Sequence, residues 1–556
     1  MAKLPQKQYA VQLVGPDELV LNKSKQVFRP GPHQILGRVE VVGLCFSDLK
    51  LLKQFSSHVR KSSIVSGIEP EVLNEIPSYV PGDAPTVPGH ETVVRIEAVG
   101  DEVSDFKPGQ RYLVQTDYRW LHTASSNSAF GYNFEGALQQ YVLMDERVIT
   151  SPQGESMLLP ASDTLSAAAI ALAEPWACVE DAYVSKERQT LKAGGQMLVV
   201  ADADIPQDAF QNLFNNYGKP SQVTWVSQTA KPSDLGISVA KCANVDQLPD
   251  TTYDDVLYFG SAAETADALF VKIAPHGLLN IVLCGGKFGR NVVTQVGRVH
   301  YGGIRIVGTV GRDPAESLKH IPETGEIRPG DKINVMGAGG PMGTMHVIRS
   351  ICQGVEGVSV FAADVDDSRL EALTKIATPL AKKNRVAYQS YNATKDKIAE
   401  SFDYTVLMAP LPDLVATSVR KASKQGMINI FAGIPATVTG EIDLDMYIEK
   451  QLYFIGTSGS TLADMKQVLA KVESGKLDTN VSVAAVCGME GATDGIRAVE
   501  NRTVAGKIMV YPACRSLGLV PLTELPEKFP QVAKCLDNGL WNKKAEETLL
   551  EICRKS

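Results

Sequence analysis

Short apolar runs, separated by glycine, proline and polar turns, recur along the whole chain, and their setting changes from region to region. Over residues 8–53 they read as strands: Tyr9-Ala-Val-Gln-Leu-Val14 and Ile35-Leu-Gly-Arg-Val-Glu-Val-Val42 flank the loop Arg29-Pro-Gly-Pro-His33. Further on, apolar runs alternate with helix-like segments, and the pattern occurs twice. Tyr253-Asp-Asp-Val-Leu-Tyr-Phe259 answers Phe402-Asp-Tyr-Thr-Val-Leu-Met408. At the same offset of 149 residues, Gly277-Leu-Leu-Asn-Ile-Val282 answers Gly426-Met-Ile-Asn-Ile-Phe431. Gly308-Thr-Val-Gly311 answers Gly456-Thr-Ser-Gly459 one residue out of step, and Lys192–Val200 parallels Arg328–Met336. Strands alternating with helices twice over predict two doubly wound α/β units in series.

The second copy carries a turn that the first lacks. The run Ile333–Met336 breaks into Gly337-Ala-Gly-Gly-Pro-Met-Gly343 and resumes as a helix-like pattern through Val347, Ile348 and Ile351. A buried strand feeding a glycine turn into a helix places backbone N–H groups where a dinucleotide pyrophosphate sits. A second run, Val358–Ala363, ends in Asp364, 21 residues past Gly343, where a carboxylate would bind the adenosine ribose. Gly337, Gly339, Gly340, Met342 and Gly343 are thus the expected pyrophosphate turn, with its last glycine one residue late for G-x-G-x-x-G. Asp364 predicts NAD over NADP. In the first copy Val200 is followed by Ala201-Asp-Ala-Asp-Ile-Pro-Gln, whose carboxylates would repel a pyrophosphate, so that unit is expected to be a degenerate Rossmann-like domain.

Length and composition narrow the class. At 556 residues the chain suggests two to four domains. A net charge of −8 gives no basic footprint for nucleic acid, and no apolar run approaches the ~20 residues of a membrane span. The N-terminal Met-Ala-Lys-Leu-Pro-Gln-Lys-Gln has no hydrophobic signal core. Nine cysteines without C-x-x-C spacing show neither a disulfide framework nor a zinc knuckle, which points to a reducing cytoplasm.

Chemistry-bearing residues cluster in the first third. Gly43-Leu-Cys-Phe-Ser-Asp-Leu-Lys50 puts the thiol of Cys45 at a strand-to-helix turn, with Ser47 two residues on. Val87-Pro-Gly-His-Glu-Thr-Val-Val94 sets His90 and Glu91 side by side, and Ala171-Leu-Ala-Glu-Pro-Trp-Ala-Cys178 places Glu174 before a proline. Each alone is commonplace, as buried cysteine, surface pair or first-turn acid. Together, the order Cys45, His90, Glu91, Glu174 resembles the zinc-dependent medium-chain dehydrogenases, especially their polyol branch. Ile96–Gly109, Gly136-Ala-Leu-Gln-Gln-Tyr-Val142 and Gly506-Lys-Ile-Met-Val-Tyr-Pro512 resemble flanking strands of that family.

The resemblance implies a GroES-like β-rich catalytic domain over residues 1–190, and the internal repeat adds a degenerate Rossmann-like domain over 191–327. An NAD-binding Rossmann domain over 328–479 follows, and 480–556 returns to the catalytic domain with a C-terminal extension. It implies zinc held by Cys45, His90 and a glutamate, either Glu91 or Glu174, with Ser47 relaying the alcohol proton and Arg369 near the adenine. The implied reaction passes hydride between NAD(H) and a secondary alcohol or ketone of a polyol or sugar derivative. Alternatives are a zinc-independent NAD(P)H reductase of the same superfamily or a catalytically silent ligand-binding protein. Departures from the family pattern set further expectations. Phe46 and Val94 should narrow the metal pocket, and the polar insertion at Phe55–Asp83 (bounded by 54–86) should form a lid. Tyr118–Phe134 replaces the family's four-cysteine lobe without a cysteine. The expected partner is a small molecule, with no nucleic acid or membrane. The chain is expected to be a homodimer, or a monomer in which the two Rossmann copies join edge to edge as an intrachain pseudo-dimer. Lys543–Cys553 reads as an amphipathic tail helix, with Ala545, Leu549, Leu550 and Cys553 on one face.

Overall fold

The strand-rich opening is realised as antiparallel pairing around one long strand. A computed structural model describes residues 4–227 and 235–555, so Met1, Ala2 and Lys3 of the N-terminal stretch lie outside it. The chain forms two compact units, residues 1–178 with 460–556, and residues 179–459. In the first unit, strand Gln34–Gly43 is hydrogen-bonded to Glu91–Val99, Tyr141–Asp145 and Lys507–Val510 within an eight-stranded sheet. Val39, Val41 and Val42 are buried here, so this strand has little exposed face.

The insertion pairs with the stretch that replaces the cysteine lobe. Strand Ile64–Ser66 runs antiparallel to Asp117–Thr123, which in turn pairs with Asn127–Ala129. Two departures from the family pattern are therefore one three-stranded sheet. Buried Lys61 ties the insertion further, donating to the carbonyl oxygens of Val80 and Ala84.

The tail helix spans Lys543–Lys555, with Ala545 and Leu549 fully buried and Leu550 half-buried. Its firmest hold is polar. The buried Glu546 carboxylate accepts from the N–H groups of Ala167 and Ala168, at 2.5 and 2.9 Å, and from the Tyr511 hydroxyl at 2.9 Å. Cys514 and Cys553 form a disulfide, which corrects the expectation that the cysteines carry no bridge. A pairing across 39 residues has no local spacing signature.

The second unit holds two six-stranded parallel sheets of the same order. In the first copy Gln196–Ala201 lies between Gln222–Ser227 and Tyr253–Phe259, and the outer strands are Ser238–Lys241 and Arg305–Thr309. In the second copy Lys332–Met336 lies between Ser359–Asp364 and Phe402–Leu407, with Ala387–Asn392 and Tyr453–Ile455 outermost. The α/β class, with a β-rich first unit and two doubly wound sheets, is as the sequence predicts.

The two copies do not merge into one sheet. Arg305–Thr309 and Tyr453–Ile455 each remain an edge, and the Tyr447 hydroxyl bridges them, donating to Ile306 O (2.9 Å) and accepting from Phe454 N–H (3.0 Å). Backbone pairing between the copies runs instead through a separate ribbon, Val292–Thr294 against Gly440–Ile442. Its register is self-reciprocal. Val292 meets Ile442, Val293 meets Glu441 and Thr294 meets Gly440, while in the repeat Val292 corresponds to Gly440 and Thr294 to Ile442. Ile448 fills the space over Gly308, and the backbone of His300 fills the space over its counterpart Gly456. Exchange of equivalent residues across a contact is the mark of a two-fold arrangement. The copies also share one apolar core, with Ile281, Ile306, Ile430 and Phe454 in the same cluster.

Candidate active site

The antiparallel register assembles the site. Gly43 lies opposite Glu91, so Cys45 and His90 leave their strands at the same end. Gly43 also leaves room for the carboxylate, since a Cβ there would stand 2.4 Å from Glu91 Oε2. Cys45 then caps the helix Phe46–Gln54, where its N–H donates to Asp48 Oδ2 at 3.1 Å.

The ligand atoms of Cys45, His90 and Glu91 lie within 4.8 Å of one another, the one such group of three among the described residues. His90 Nδ1 is 3.0 Å from Asp48 Oδ1, an arrangement that leaves Nε2 as the nitrogen available to a metal. Burial opposes protonation of His90, but the charges of Asp48 and Cys45 outweigh it and hold its pKa well above the ordinary value. A metal there would compete with that proton. Glu91 is fully buried and ion-paired with Lys507, whose pKa is raised by Glu91 and Cys45 against the effect of burial. Its other oxygen, Oε2, is buried without a hydrogen-bond partner. A thiol, an imidazole and a carboxylate with an orphaned oxygen form a donor set suited to zinc.

Glu174 lies outside the group of three, in the first turn of a helix over Ala173–Val184. Desolvation, with Glu91 adding to it and His90 opposing it, pushes its carboxyl up to about 7. Ser47 Oγ is 3.7 Å from Cys45 Sγ. Phe46 is 55% exposed and Val94 is buried in the core. Sequence reasoning missed Asp48 and Lys507. The first looks like an ordinary acid in a helix first turn, and the second is 416 residues from Glu91.

The glycine turn in the second copy joins Lys332–Met336 to a helix over Pro341–Cys352, with Met342 in its first turn. Gly343 sits where a Cβ would be 2.2 Å from Gly337 O, so the helix packs against the turn at backbone distance. Gly337 and Ala338 donate to Ala363 O at 2.8 and 2.9 Å, and Gly339 N–H donates to Asp364 Oδ2 at 2.8 Å. Asp364 is thereby fixed beside the turn, and Arg369 lies 3.8 Å from Asp366.

Residues 31–153 match the alcohol dehydrogenase GroES-like domain. This match and the relatives below support a likeness to the medium-chain dehydrogenase/reductase family. It is 24% identical over 235 residues to L-sorbose 1-phosphate reductase of Klebsiella pneumoniae, covering 40% of this chain and 56% of that protein. It is 22% identical over 250 residues to mannitol-1-phosphate 5-dehydrogenase of Aliivibrio fischeri, covering 40% and 57%. The chain thus spans little more than half the length of the curated relatives it matches. Among solved structures, 2R,3R-butanediol dehydrogenase from Bacillus subtilis shares the fold, with TM-score 0.51 at 13% identity over 91% of this chain and 100% of that one. No helix among the described residues is long and apolar enough to cross a membrane.

Proposed function

We propose that this protein is a zinc- and NAD(H)-dependent dehydrogenase that interconverts a secondary alcohol of a polyol or sugar derivative with its ketone. The observation that carries this reading is the group of half-buried Cys45 and buried His90 and Glu91, with Asp48 behind the histidine and Lys507 behind the glutamate. Zinc held by Cys45, His90 and Glu91 would supply Lewis-acid polarisation of the alcohol or carbonyl oxygen. Asp48 holds the proton on His90 Nδ1, and Lys507 balances the buried charge of Glu91. Ser47 Oγ, beside Cys45, would relay the alcohol proton, accepting it while passing its own onward to solvent. Glu174, whose carboxyl burial favours in the protonated form, is a candidate proton acceptor and donor near the same group. Gly337, Gly339, Gly340, Met342 and Gly343 receive the NAD pyrophosphate, Asp364 the ribose hydroxyls, and Arg369 flanks the adenine. The names of two relatives, a sorbose-phosphate reductase and a mannitol-phosphate dehydrogenase, support a sugar-derived substrate.

The reciprocal contacts of the two copies support a monomer in which the first copy takes the place of a second subunit. Metal analysis and a zinc-supplemented screen of polyols and ketoses by NADH absorbance test the activity. Cys45→Ala and His90→Ala are each expected to abolish bound zinc and turnover. Stoichiometric zinc and normal turnover in either variant would refute the metal assignment.

A further inference from the structure

The insertion brings cations to the neighbourhood of the metal group. Arg60 Nη1 lies 3.0 Å from Asp117 Oδ1, and Arg119 Nε lies 3.2 Å from Asp117 Oδ2. One carboxylate thus serves two guanidiniums, leaving a positive charge in surplus. Lys50 adds to it, on the exposed face of the helix that begins after Cys45, with no ion pair among the described residues. His58 senses this field: burial first, then Arg60 and Lys50, push its pKa down to about 4.

Tyr132 links these cations to the metal group. Its ring lies 6.1 Å from that of His90 and 5.0 Å from that of His58, and the Arg60 guanidinium is 5.8 Å from its centroid. Tyr132 is 7% exposed. If Arg60 only stapled the insertion to strand Asp117–Thr123, the single Asp117 contact would suffice. A second guanidinium on the same carboxylate, with the Tyr132 ring under the first, makes an anion site.

We propose that Arg60 and Arg119, with Lys50 and the Tyr132 hydroxyl, form a subsite that binds a terminal oxyanion of the substrate, the phosphate of a polyol phosphate or the carboxylate of a sugar acid. The inference rests on the polyol dehydrogenase reading and supplies the substrate class that reading leaves open. A phosphate or carboxylate accepts two parallel N–H bonds from a guanidinium fork, so Arg60 discriminates by geometry as well as by charge, while Arg119, whose Nε and Nη2 serve Asp117 and the Ser460 carbonyl, adds chiefly charge. The polyol chain would then run along Tyr132 toward the metal group.

The test is equilibrium binding of inorganic phosphate to the full chain, by calorimetry, in wild type, R60A, R60A/R119A and C45A. One saturable phosphate per chain is expected, weakened by about tenfold or more in R60A and further in the double variant, as expected for loss of charge-assisted bonds. Binding should persist in C45A, where the metal group is broken. Mannitol 1-phosphate and gluconate serve as competitors against plain mannitol, and the stronger of the two identifies which oxyanion the site takes. R60K and R119K, which keep charge but lose the fork, replace the alanine variants should those fail to fold, and are expected to bind more weakly than wild type. Absence of saturable binding, unchanged affinity in the double variant, or loss of binding in C45A would each overturn the subsite. Phosphate binding without zinc or NADH-linked turnover would instead overturn the dehydrogenase reading while leaving the subsite standing.

Discussion

The two Rossmann copies share strand order and a common core, yet differ where a ligand would meet the sheet. In the second copy, Gly337 and Ala338 bond back to Ala363 and leave the helix N-terminus at Pro341 facing the turn. In the first copy, Asp202 and Ala203 bond to Phe259 O, on the opposite neighbour, at 2.8 and 3.2 Å. The Asp202 carboxylate then accepts from the hydroxyls of Tyr258 and Thr265, at 2.8 and 2.9 Å. The first copy therefore crosses its own crevice with an acidic loop, where the second opens it with glycines. A doubly wound sheet supplies a crevice by topology, but residues at the first turn decide whether an anion can enter it.

The sharpest way to break this contrast is to close the working turn. Gly343→Val should abolish NADH binding and cost about 3 kcal/mol, because a side chain there would displace the Gly337 carbonyl, as measured by fluorescence titration and thermal melts. Acid should also separate the copies. His346 in the second copy is fully buried against the Tyr183 hydroxyl, and burial, aided by Arg349, pushes its pKa down to about 3. None of the first copy's histidines, His276, His300 or His320, is buried. With its folded pKa below the unfolded value, His346 contributes stability above about pH 6.5 that is lost as pH falls toward 3. Hydrogen exchange between pH 7 and 5 should therefore show protection falling earlier in the second copy than in the first.

Smaller effects sharpen the same comparison. Asp364→Ala should weaken NAD binding by about tenfold and narrow its preference over NADP, read from kcat/KM for each cofactor. A higher kcat/KM for NADP in the unaltered protein would remove the basis of that assignment. Asp202→Ala in the first copy should leave NADH affinity unchanged and lower stability by about 1–2 kcal/mol, through two lost hydrogen bonds.

What the sequence disclosed was local in kind. The glycine turn, the acid after the second strand and the Cys45, His90, Glu91 order are all legible because spacing along the chain carries their meaning. Features made by distant segments were not. Lys507 reaches Glu91 only because strand Lys507–Val510 pairs with Gln34–Gly43, and Arg60 reaches Asp117 only through the insertion's pairing with Asp117–Thr123. The repeat was visible, but the expected edge pairing was not the route taken. A three-residue ribbon and the Tyr447 hydroxyl, neither with a periodic signature, join the copies instead.

The most direct test of this division of labour is the stoichiometry of NADH on the purified full chain, by equilibrium titration with metal content measured on the same sample. One NADH and one zinc per chain are predicted. Two NADH per chain would contradict the closed first copy, and none would contradict the dinucleotide turn at Gly337–Gly343 on which the account rests.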